Sequence, residues 1–196
     1  MICLFTVVAL NAQSGKKKQK IEPKKIVYTV HPVEFAISEM KQSFEFKFKE
    51  GKRGIGLIPS VIYEKKNGDT VWGFTTEVQY RLYVNAVKFN EDPTTGRLYM
   101  SPFAKGIIAE EKDYWTENET VTSDLVAGEF GNLFGYQKIS DFGLTFDFAI
   151  GGSIRFADIS TTNELYKATA FDSQNKWGLG YQGIKPKLHF SIGYAF

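Results

Sequence analysis

Few residues in this chain are of the types that carry out catalysis, and they lie far apart in sequence. The chain has two histidines, His31 and His189, and one cysteine, Cys3. Ser191 follows His189 by two residues, so on a β-strand these two side chains would share a face. A serine nucleophile also needs a base within hydrogen-bond reach and a third group that orients the base. No acidic residue completes such a set near His189, and a histidine buried among polar groups is the interpretation that the pattern favours.

Sites for metals, phosphates and nucleic acids are equally unsupported. The histidines do not join a cysteine or carboxylates at metal-ligand spacing. Gly54 and Gly56 lie within a strand-like stretch and open no helix, which argues against a phosphate-binding loop. The net charge is +2, and no basic patch is interleaved with stacking aromatics. The sequence therefore predicts a protein that is not an enzyme, carries no cofactor and no metal, and does not bind nucleic acid.

The pattern that would position these side chains is alternation of apolar and polar residues, the period of a β-strand. In SFEFKFKE, Phe44, Phe46 and Phe48 fall on one face and charged residues on the other. Aromatic residues make up 15% of the chain, and there are 18 glycines, a composition typical of barrels. Strands are predicted at eight stretches, of which the first is interrupted by Pro32: 25–37, 43–50, 54–64, 70–85, 97–111, 130–139, 144–156 and 185–196.

An even number of strands with unequal connections predicts an all-β fold, an eight-stranded antiparallel up-and-down transmembrane β-barrel. Outer-membrane barrels have short turns at one end and longer loops at the other. The longest predicted loops, 116–130 and 157–183, fall after strands five and seven, at the same end of such a barrel. Pro59 and Pro102 lie inside predicted strands and count against regular pairing there. The sequence contains no stretch that predicts a helix.

The aromatic face is predicted to point outward, towards lipid. Eight strands enclose an interior just wide enough for side chains, and so many aromatic rings would crowd it. The opposite face carries small residues among its charges, which suits a narrow interior. Buried charges must pair, so the sequence predicts a plugged polar lumen with no open channel. The predicted lumen residues are Glu45, Lys47, Glu77, Gln79, Arg81, Lys105, Gln137, Asp147, Arg155, Lys187 and His189.

The N-terminus indicates export. Residues 1–12, with an apolar run from Ile2 to Leu10 and Ala12 at the end, are predicted as a signal peptide. No basic residue precedes the apolar run, and a start codon assigned too late would explain its absence. The alternative interpretation of this segment is a buried first strand or helix. Residues 13–25 are predicted as a lysine-rich periplasmic tail, either simply solvated or in contact with anionic headgroups. Residues 26–196 are predicted as an outer-membrane β-barrel.

The last strand ends on an aromatic residue and is amphipathic throughout. It resembles the C-terminal recognition strand of outer-membrane proteins, with Phe190, Ile192, Tyr194 and Phe196 at alternate positions. This resemblance implies that the barrel assembly machinery is a partner that reads this strand. Outer-membrane lipid is the other expected partner, and a protein partner is expected at loops 116–130 and 157–183, which include Leu125 and Val126.

Several longer stretches resemble a small outer-membrane β-barrel family of Bacteroidetes-type bacteria, whose function is largely unassigned. They are TEVQYRLYVN, RLYMSPFAKG, FGYQKISDFGLTFDFAIGGSIRF and SIGYAF, and they extend over most of the chain from about Gln42. The shared features are Tyr80-Arg81, Pro102-Phe103, Gly135-Tyr136-Gln137 and Phe142-Gly143. The resemblance implies the fold and an outer-membrane location, and it implies no activity.

The expected function is therefore that of a non-enzymatic outer-membrane barrel with a structural role or with loops that bind a partner. Two alternatives remain open at this point. An outer-membrane enzyme that modifies lipid would require a serine, a histidine and an acid at one rim. A soluble lipocalin-like carrier would require an apolar lumen, although the Gly-x-Trp typical of lipocalins is absent near the first strand.

Overall fold

A computed structural model provides the structure of this protein. It describes residues 24–35, 39–49, 51–66, 69–84, 96–116, 119–162, 167, 170–172 and 179–196. The predicted signal peptide and all of the lysine-rich tail except Lys24 and Lys25 lie outside these residues. Both regions therefore stay predictions.

Eight antiparallel strands form a closed barrel in which each strand pairs with its neighbours in sequence, and the last strand pairs with the first. This confirms the predicted eight-stranded antiparallel fold. The strands are β1 (Ile26–Val30), β2 (Glu39–Phe48), β3 (Arg53–Lys66), β4 (Asp69–Tyr83), β5 (Arg97–Thr116), β6 (Glu119–Ile139), β7 (Leu144–Thr161) and β8 (Gly183–Ala195).

The barrel has two different ends. The turn end carries the connections after β2, β4 and β6, together with the last residue, Phe196, and the connections after β2 and β6 are short. The loop end carries the connections after β1, β3, β5 and β7. A short helix, α1 (Pro32–Phe35), follows β1 at the loop end. No helix among the described residues has the length and apolar character needed to cross a membrane.

Alternation of side chains determines which residues fill the barrel. Along β7, buried positions alternate with exposed ones from Thr145 to Ile150. The exposed positions hold Phe146, Phe148 and Ile150, and the buried ones hold Thr145, Asp147 and Ala149. The pleat of a strand produces this period of two. Between Thr145 and Ile150 the larger apolar side chains thus lie on the outside of the barrel, and the polar side chains lie within.

The strands β5 and β6 are longer than predicted, which corrects the loop assigned to residues 116–130. These two strands form a hairpin in which Glu119 pairs with Thr116, and β6 continues unbroken to Ile139. The stretch was predicted as a loop because its residues are polar and include a glycine. Leu125 and Val126, predicted as loop residues, lie in the wall, with Leu125 buried inside and Val126 61% exposed on the outer surface.

Two further predictions of local structure were wrong. Residues 157–161 belong to β7, so the loop predicted at 157–183 begins later. The first predicted strand stops at Val30, because Pro32 opens α1 instead of continuing the strand. Proline has no N–H for a ladder and is favoured in the first turn of a helix. The expectation that the chain contains no helix was therefore incorrect.

Pro59 and Pro102 lie inside β3 and β5, at points where the pairing with one neighbour is interrupted. Pro59 pairs with Thr76 of β4, but the β2–β3 register omits it. Pro102 pairs with Asn132 of β6 and is omitted from the register with β4. Since proline cannot donate a ladder hydrogen bond, each ring occupies a position where the ladder has a gap. Both rings are exposed on the outer surface.

Closure of the barrel depends on a close approach at Gly193 of β8, which pairs with Thr29 of β1. A Cβ atom at Gly193 would lie 1.8 Å from the carbonyl oxygen of Tyr28 and 2.6 Å from Cα of Thr29. The neighbouring atoms belong to the backbone, so they can move only if the two strands separate. Only glycine fits at this contact without displacing β1.

We expect Gly193→Ala to lower the free energy of unfolding by about 1–3 kcal/mol, as overpacking does. The measurement is a denaturant titration of the purified protein in neutral detergent. Gly106→Ala is the matched control, because no described atom lies within 4 Å of the Cβ it would add. An equal effect of the two substitutions would show that the β1–β8 contact is not tight.

Candidate functional site

The barrel interior centres on Arg81, which β4 places on its inner face. Nη1 of Arg81 donates a hydrogen bond to Asp147 of β7 and lies 3.2 Å from Oε2 of Glu45 on β2. Nε donates to the side-chain oxygen of Gln79 at 3.0 Å. The guanidinium also lies 4.7 Å from the centroid of the Tyr99 ring. A single arginine thus connects β2, β4, β5 and β7 through the inside of the barrel.

Two tyrosines complete the hydrogen bonding of the carboxylates around Arg81. The hydroxyl of Tyr83 donates to Glu45, and that of Tyr99 donates to Oδ1 of Asp147 at 2.7 Å. Gln137 donates from Nε2 to Glu45 at 2.8 Å. Nζ of Lys47 in turn donates to Oε1 of Gln137 at 2.5 Å. Each buried charge therefore has charged or hydrogen-bonding partners, as the cost of burying an ion demands.

A second group of charges lies nearer the loop end. Lys187 of β8 contacts Glu77 of β4 at 2.5 Å and Glu129 of β6 at 3.6 Å. Arg155 of β7 contacts Glu129 at 2.6 Å. Gln79 joins this group to the first one by donating a hydrogen bond to Glu77 at 2.7 Å. The two groups form one connected set of interactions, which we call the polar network.

Two of the predicted lumen residues lie beside the polar network instead of within it. Lys105 contacts Glu39 at 2.9 Å, near the start of β2. His189 packs its ring against that of His31, with the centroids 4.5 Å apart and the planes at 88°. Both histidines are fully buried. The other nine are connected as described: Glu45, Lys47, Glu77, Gln79, Arg81, Gln137, Asp147, Arg155 and Lys187.

Several interior residues escaped the sequence analysis. Tyr83 and Tyr99 were overlooked because aromatic residues were assigned to the outer face, although Tyr83 has the same parity as Gln79 and Arg81. Glu129 was overlooked because its stretch was predicted as a loop. Glu39 precedes the alternation that predicted the second strand. The parity of the strand was the signal in the sequence that could have placed Tyr83 in the interior.

An apolar cluster fills the barrel at the loop end. It includes Leu125 of β6, Ile107 of β5 and Ile62 of β3, and a single 3-10 turn at Ala170–Asp172 lies against it. The N–H of Phe171 donates to Glu111 at 2.6 Å, and its carbonyl accepts from Gly180 at 3.0 Å. Phe171 has φ 55°, an uncommon conformation for a bulky residue. This turn packs into an apolar layer at the loop end that the sequence did not predict.

The last residues of β8 hold the turn end of the barrel. Phe190, Ile192, Tyr194 and Phe196 share the parity of its outer face. The N–H of Phe196 donates to the carbonyl of Ile26 at 2.8 Å, and the rings of Tyr194 and Phe196 lie 5.0 Å apart. Hydrogen bonding to β1 therefore reaches the final residue.

The interior of the described region contains no group of three or more histidine, cysteine or acidic residues that could hold a metal ion. Ser191 and His189 lie on the same inner face of β8, and both are buried. The neighbour of the His189 ring is the ring of His31. What this arrangement can do chemically is neutralise charge and fix side chains in place.

We expect Arg81→Met to lower the free energy of unfolding by about 3–5 kcal/mol, because it leaves Glu45 and Asp147 buried without their cation. Adding Asp147→Asn should cost less than the sum of the two single changes, since one uncompensated charge is removed. Denaturant titration in detergent measures both. The exposed Lys138→Met serves as the control and should stay within about 0.5 kcal/mol of the unmodified protein. Simple additivity of the two changes would contradict the direct contact.

Comparisons of this chain with protein-family models, with curated proteins and with solved structures gave no match. The resemblance to small outer-membrane barrels of Bacteroidetes-type bacteria therefore stays a prediction from the sequence.

Proposed function

We propose that this protein is a non-enzymatic outer-membrane β-barrel with a plugged polar interior. The observation that carries the proposal is the inverted distribution of side chains. Charged residues are buried inside the barrel, and large apolar residues are exposed outside. A protein surrounded by water has the opposite distribution, because burial of apolar surface stabilises its fold. A barrel surrounded by lipid has the distribution found here.

The exposed apolar residues form a belt of limited height, which we call the apolar band. On β6 the band runs from Val126 to Tyr136, between the outward-facing charges Asp124 and Lys138. These 11 residues match the roughly 9–11 that a tilted strand needs to cross the hydrocarbon layer of a bilayer. The band thus has the height of a membrane, although β6 itself is longer.

Neighbouring strands continue the apolar band around the barrel. Cross-strand pairing aligns Phe134 with Ile150, and Phe130 with Ile154. An exposed apolar surface of this extent is unusual for a monomeric soluble protein. The exposed side chains on β3 to β8 include Ile55, Leu57, Val61, Trp72, Phe74, Val78, Leu98, Ile108, Phe130, Phe134, Phe146, Phe148, Ile150, Ile154, Phe156, Ile184, Leu188 and Tyr194.

The proposed location assigns roles to the two ends. The turn end would face the periplasm and present the C-terminal strand, Phe190 to Phe196, to the barrel assembly machinery. The hairpin of β5 and β6 extends beyond the apolar band at the loop end, where residues such as Lys112 and Thr120 are exposed. The protein partner expected at residues 116–130 would meet this hairpin tip, because Leu125 and Val126 belong to the wall. The second candidate segment is the connection after β7, predicted at 157–183, of which 157–161 belong to β7.

The packed interior favours a structural or binding role over transport and over a soluble carrier. The polar network crosses the barrel between β4 and β8 through Lys187 and Glu77. At the loop end, Ala170 and Phe171 of the 3-10 turn pack into the apolar cluster. A lipocalin-like carrier needs an open apolar cavity, and paired charges occupy the corresponding space here. The packed interior therefore supports neither the lipid-modifying enzyme nor the soluble carrier.

We expect the full-length protein to fractionate with the outer membrane and to change its mobility on a detergent gel when boiled. Phe130→Arg, near the middle of the apolar band, should reduce membrane insertion, because an arginine at that depth costs about 2–4 kcal/mol. Asp124→Arg, at the edge of the band, is the matched control and should insert normally. A soluble product without a heat-dependent shift, or equal tolerance of the two arginines, would overturn the membrane assignment.

We also expect no ion conductance when the purified barrel is reconstituted in a planar bilayer. The polar network and the apolar cluster at the loop end fill the interior with packed side chains, so we expect water and ions to find no continuous path. A porin of known conductance, reconstituted in the same lipid, verifies the recording. Discrete conductance steps from this protein would contradict a plugged interior.

A further inference from the structure

A cleft lies at the loop end, where the pairing of β7 with β8 stops. The last pair of this ladder joins Arg155 to Gly183, while β7 itself continues to Thr161. The cleft lies between residues 157–159 of β7 and residues 180–182, and Lys167 also lines it. We call it the outer cleft. Its volume is about 410 Å³, within the range of roughly 300–1,000 Å³ that is usual for small-molecule sites.

Hydrogen bonds hold the two walls of the outer cleft in place. Nη1 of Arg155 reaches from the barrel interior and donates to the carbonyl of Leu179 at 2.9 Å. Nε2 of Gln182 donates to the carbonyl of Ala157 at 2.5 Å, which joins one wall to the other. A cleft whose walls are fixed in advance binds a ligand with a smaller loss of conformational freedom.

The ring of Tyr181 gives the outer cleft an aromatic wall. Gly183 has φ 119°, a backbone conformation that favours glycine. A Cβ atom at Gly183 would lie 3.2 Å from the hydroxyl oxygen of Tyr181 and 3.5 Å from its Cζ. Because Gly183 has no side chain, the ring lies close against its backbone. Tyr181 is half-buried, so part of its side chain stays accessible. The face of an aromatic ring attracts cations, and quaternary ammonium groups are bound in this way.

One acidic and one basic side chain line the outer cleft. They are Asp158 and Lys167, and both are exposed. Within the described part of the chain, no ion pair joins these two side chains to each other. A ligand that carries a cationic and an anionic group can therefore neutralise both charges, whereas a ligand with one charged group can neutralise only one.

The outer cleft borders the apolar band. On the outer face of β7, the last apolar side chain is Phe156, which is 63% exposed, and Asp158 follows it. On β8, Ile184 is 75% exposed, and the exposed Gln182 precedes it by two residues. The following step rests on the proposed function. With the apolar band in the hydrocarbon layer, the outer cleft lies at the level of the lipid headgroups, where tyrosine is also enriched.

We propose that the outer cleft binds a zwitterionic lipid headgroup, in which a short linker joins a phosphate to an ammonium group. Asp158 and the ring of Tyr181 bind the ammonium, and Lys167 binds the phosphate. The acyl chains lie along the apolar band beside Phe156 and Ile184. An anionic lipid has no cation for Asp158, and an uncharged lipid neutralises neither side chain.

The first test titrates the purified barrel with lipids in neutral detergent and counts the bound molecules by native mass spectrometry. The heat-dependent gel shift first shows that the barrel is folded. The probes are dilauroyl phosphatidylethanolamine, dilauroyl phosphatidylglycerol, dilauroylglycerol and the water-soluble glycerophosphoethanolamine. We expect one phosphatidylethanolamine to bind at least about fivefold more tightly than each of the other probes, the effect of one ion pair near a protein surface.

Three outcomes of this titration would overturn the proposal. Equal binding of phosphatidylglycerol would show that the ammonium group is not recognised. Equal binding of dilauroylglycerol would show that neither charge is recognised. Equal binding of glycerophosphoethanolamine would show that the ligand is a free headgroup that reaches the outer cleft from water.

Charge variants locate the two ends of the headgroup. Asp158→Asn should weaken phosphatidylethanolamine binding by about fivefold and should not weaken phosphatidylglycerol binding, because only the first lipid has an ammonium group. Lys167→Gln should weaken the binding of both lipids, because both carry the phosphate. Asp124→Asn and Lys138→Gln are the matched controls, since they remove the same charges from exposed positions outside the outer cleft. Equal affinities of the cleft variants and the controls would place the binding elsewhere.

Variants of Tyr181 test the role of the ring. Tyr181→Leu should weaken phosphatidylethanolamine binding more than phosphatidylglycerol binding, because it removes the aromatic face that attracts the ammonium. Tyr181→Phe keeps that face and should bind as the unmodified protein does. An equal loss in both variants would contradict the contact between ring and ammonium. If Tyr181→Leu loses its gel shift, the exposed Asp158→Asn still tests the ammonium contact.

The gel shift separates failure of this inference from failure of the proposed function. A barrel that keeps its heat-dependent shift and shows no preference for phosphatidylethanolamine refutes the outer cleft as a headgroup site, and the membrane assignment stands. A soluble product without the shift refutes the membrane assignment, and the headgroup site with it.

Discussion

A charge inside a narrow eight-stranded tube must be neutralised by side chains that reach it from other strands. Arg81 meets this constraint through Glu45 and Asp147, which belong to strands on different sides of the barrel. Lys187 meets it through Glu77. Each such contact requires the correct register in every strand between the partners, because a slip of one residue would turn the charge out onto the apolar outer surface. The polar network therefore specifies the register of the barrel as well as filling it.

Strand parity made much of this arrangement predictable. Where the outer face is apolar, apolar and polar residues alternate clearly in the sequence. The inward positions of Arg81, Gln137 and Asp147 were predicted from this alternation. Beyond the apolar band the alternation reverses: Val121 and Leu125 point inward, while Thr120 and Asp124 are exposed. A strand segment with polar residues on its outer face resembles a loop in sequence when apolar residues are expected on that face. The apolar cluster at the loop end and the partner residue Glu129 were missed for this reason, and contacts between distant strands have no signature in a single sequence.

Three prolines within strands share one explanation. Pro59 and Pro102 occupy gaps in the ladders between β2 and β3 and between β4 and β5, and Pro186 lies beyond the part of β8 that pairs with β1. Pro59 and Pro102 were counted against regular strands, and they do mark irregular pairing. The irregularity is confined to one side of each strand, so the barrel still closes. In this fold, a proline therefore indicates where the hydrogen-bonded wall is locally open.

The unequal strand lengths imply an order of folding. The hairpin of β5 and β6 pairs residues close in sequence, with Thr116 opposite Glu119, so forming it costs little chain entropy. The pairing of Val27 with Ala195 joins the two ends of the barrel domain and involves the shortest strand. Contacts of such long range form slowly, because the loss of chain freedom precedes any gain from pairing. We therefore expect assembly to begin at the longest hairpin and to end at β1, the shortest strand.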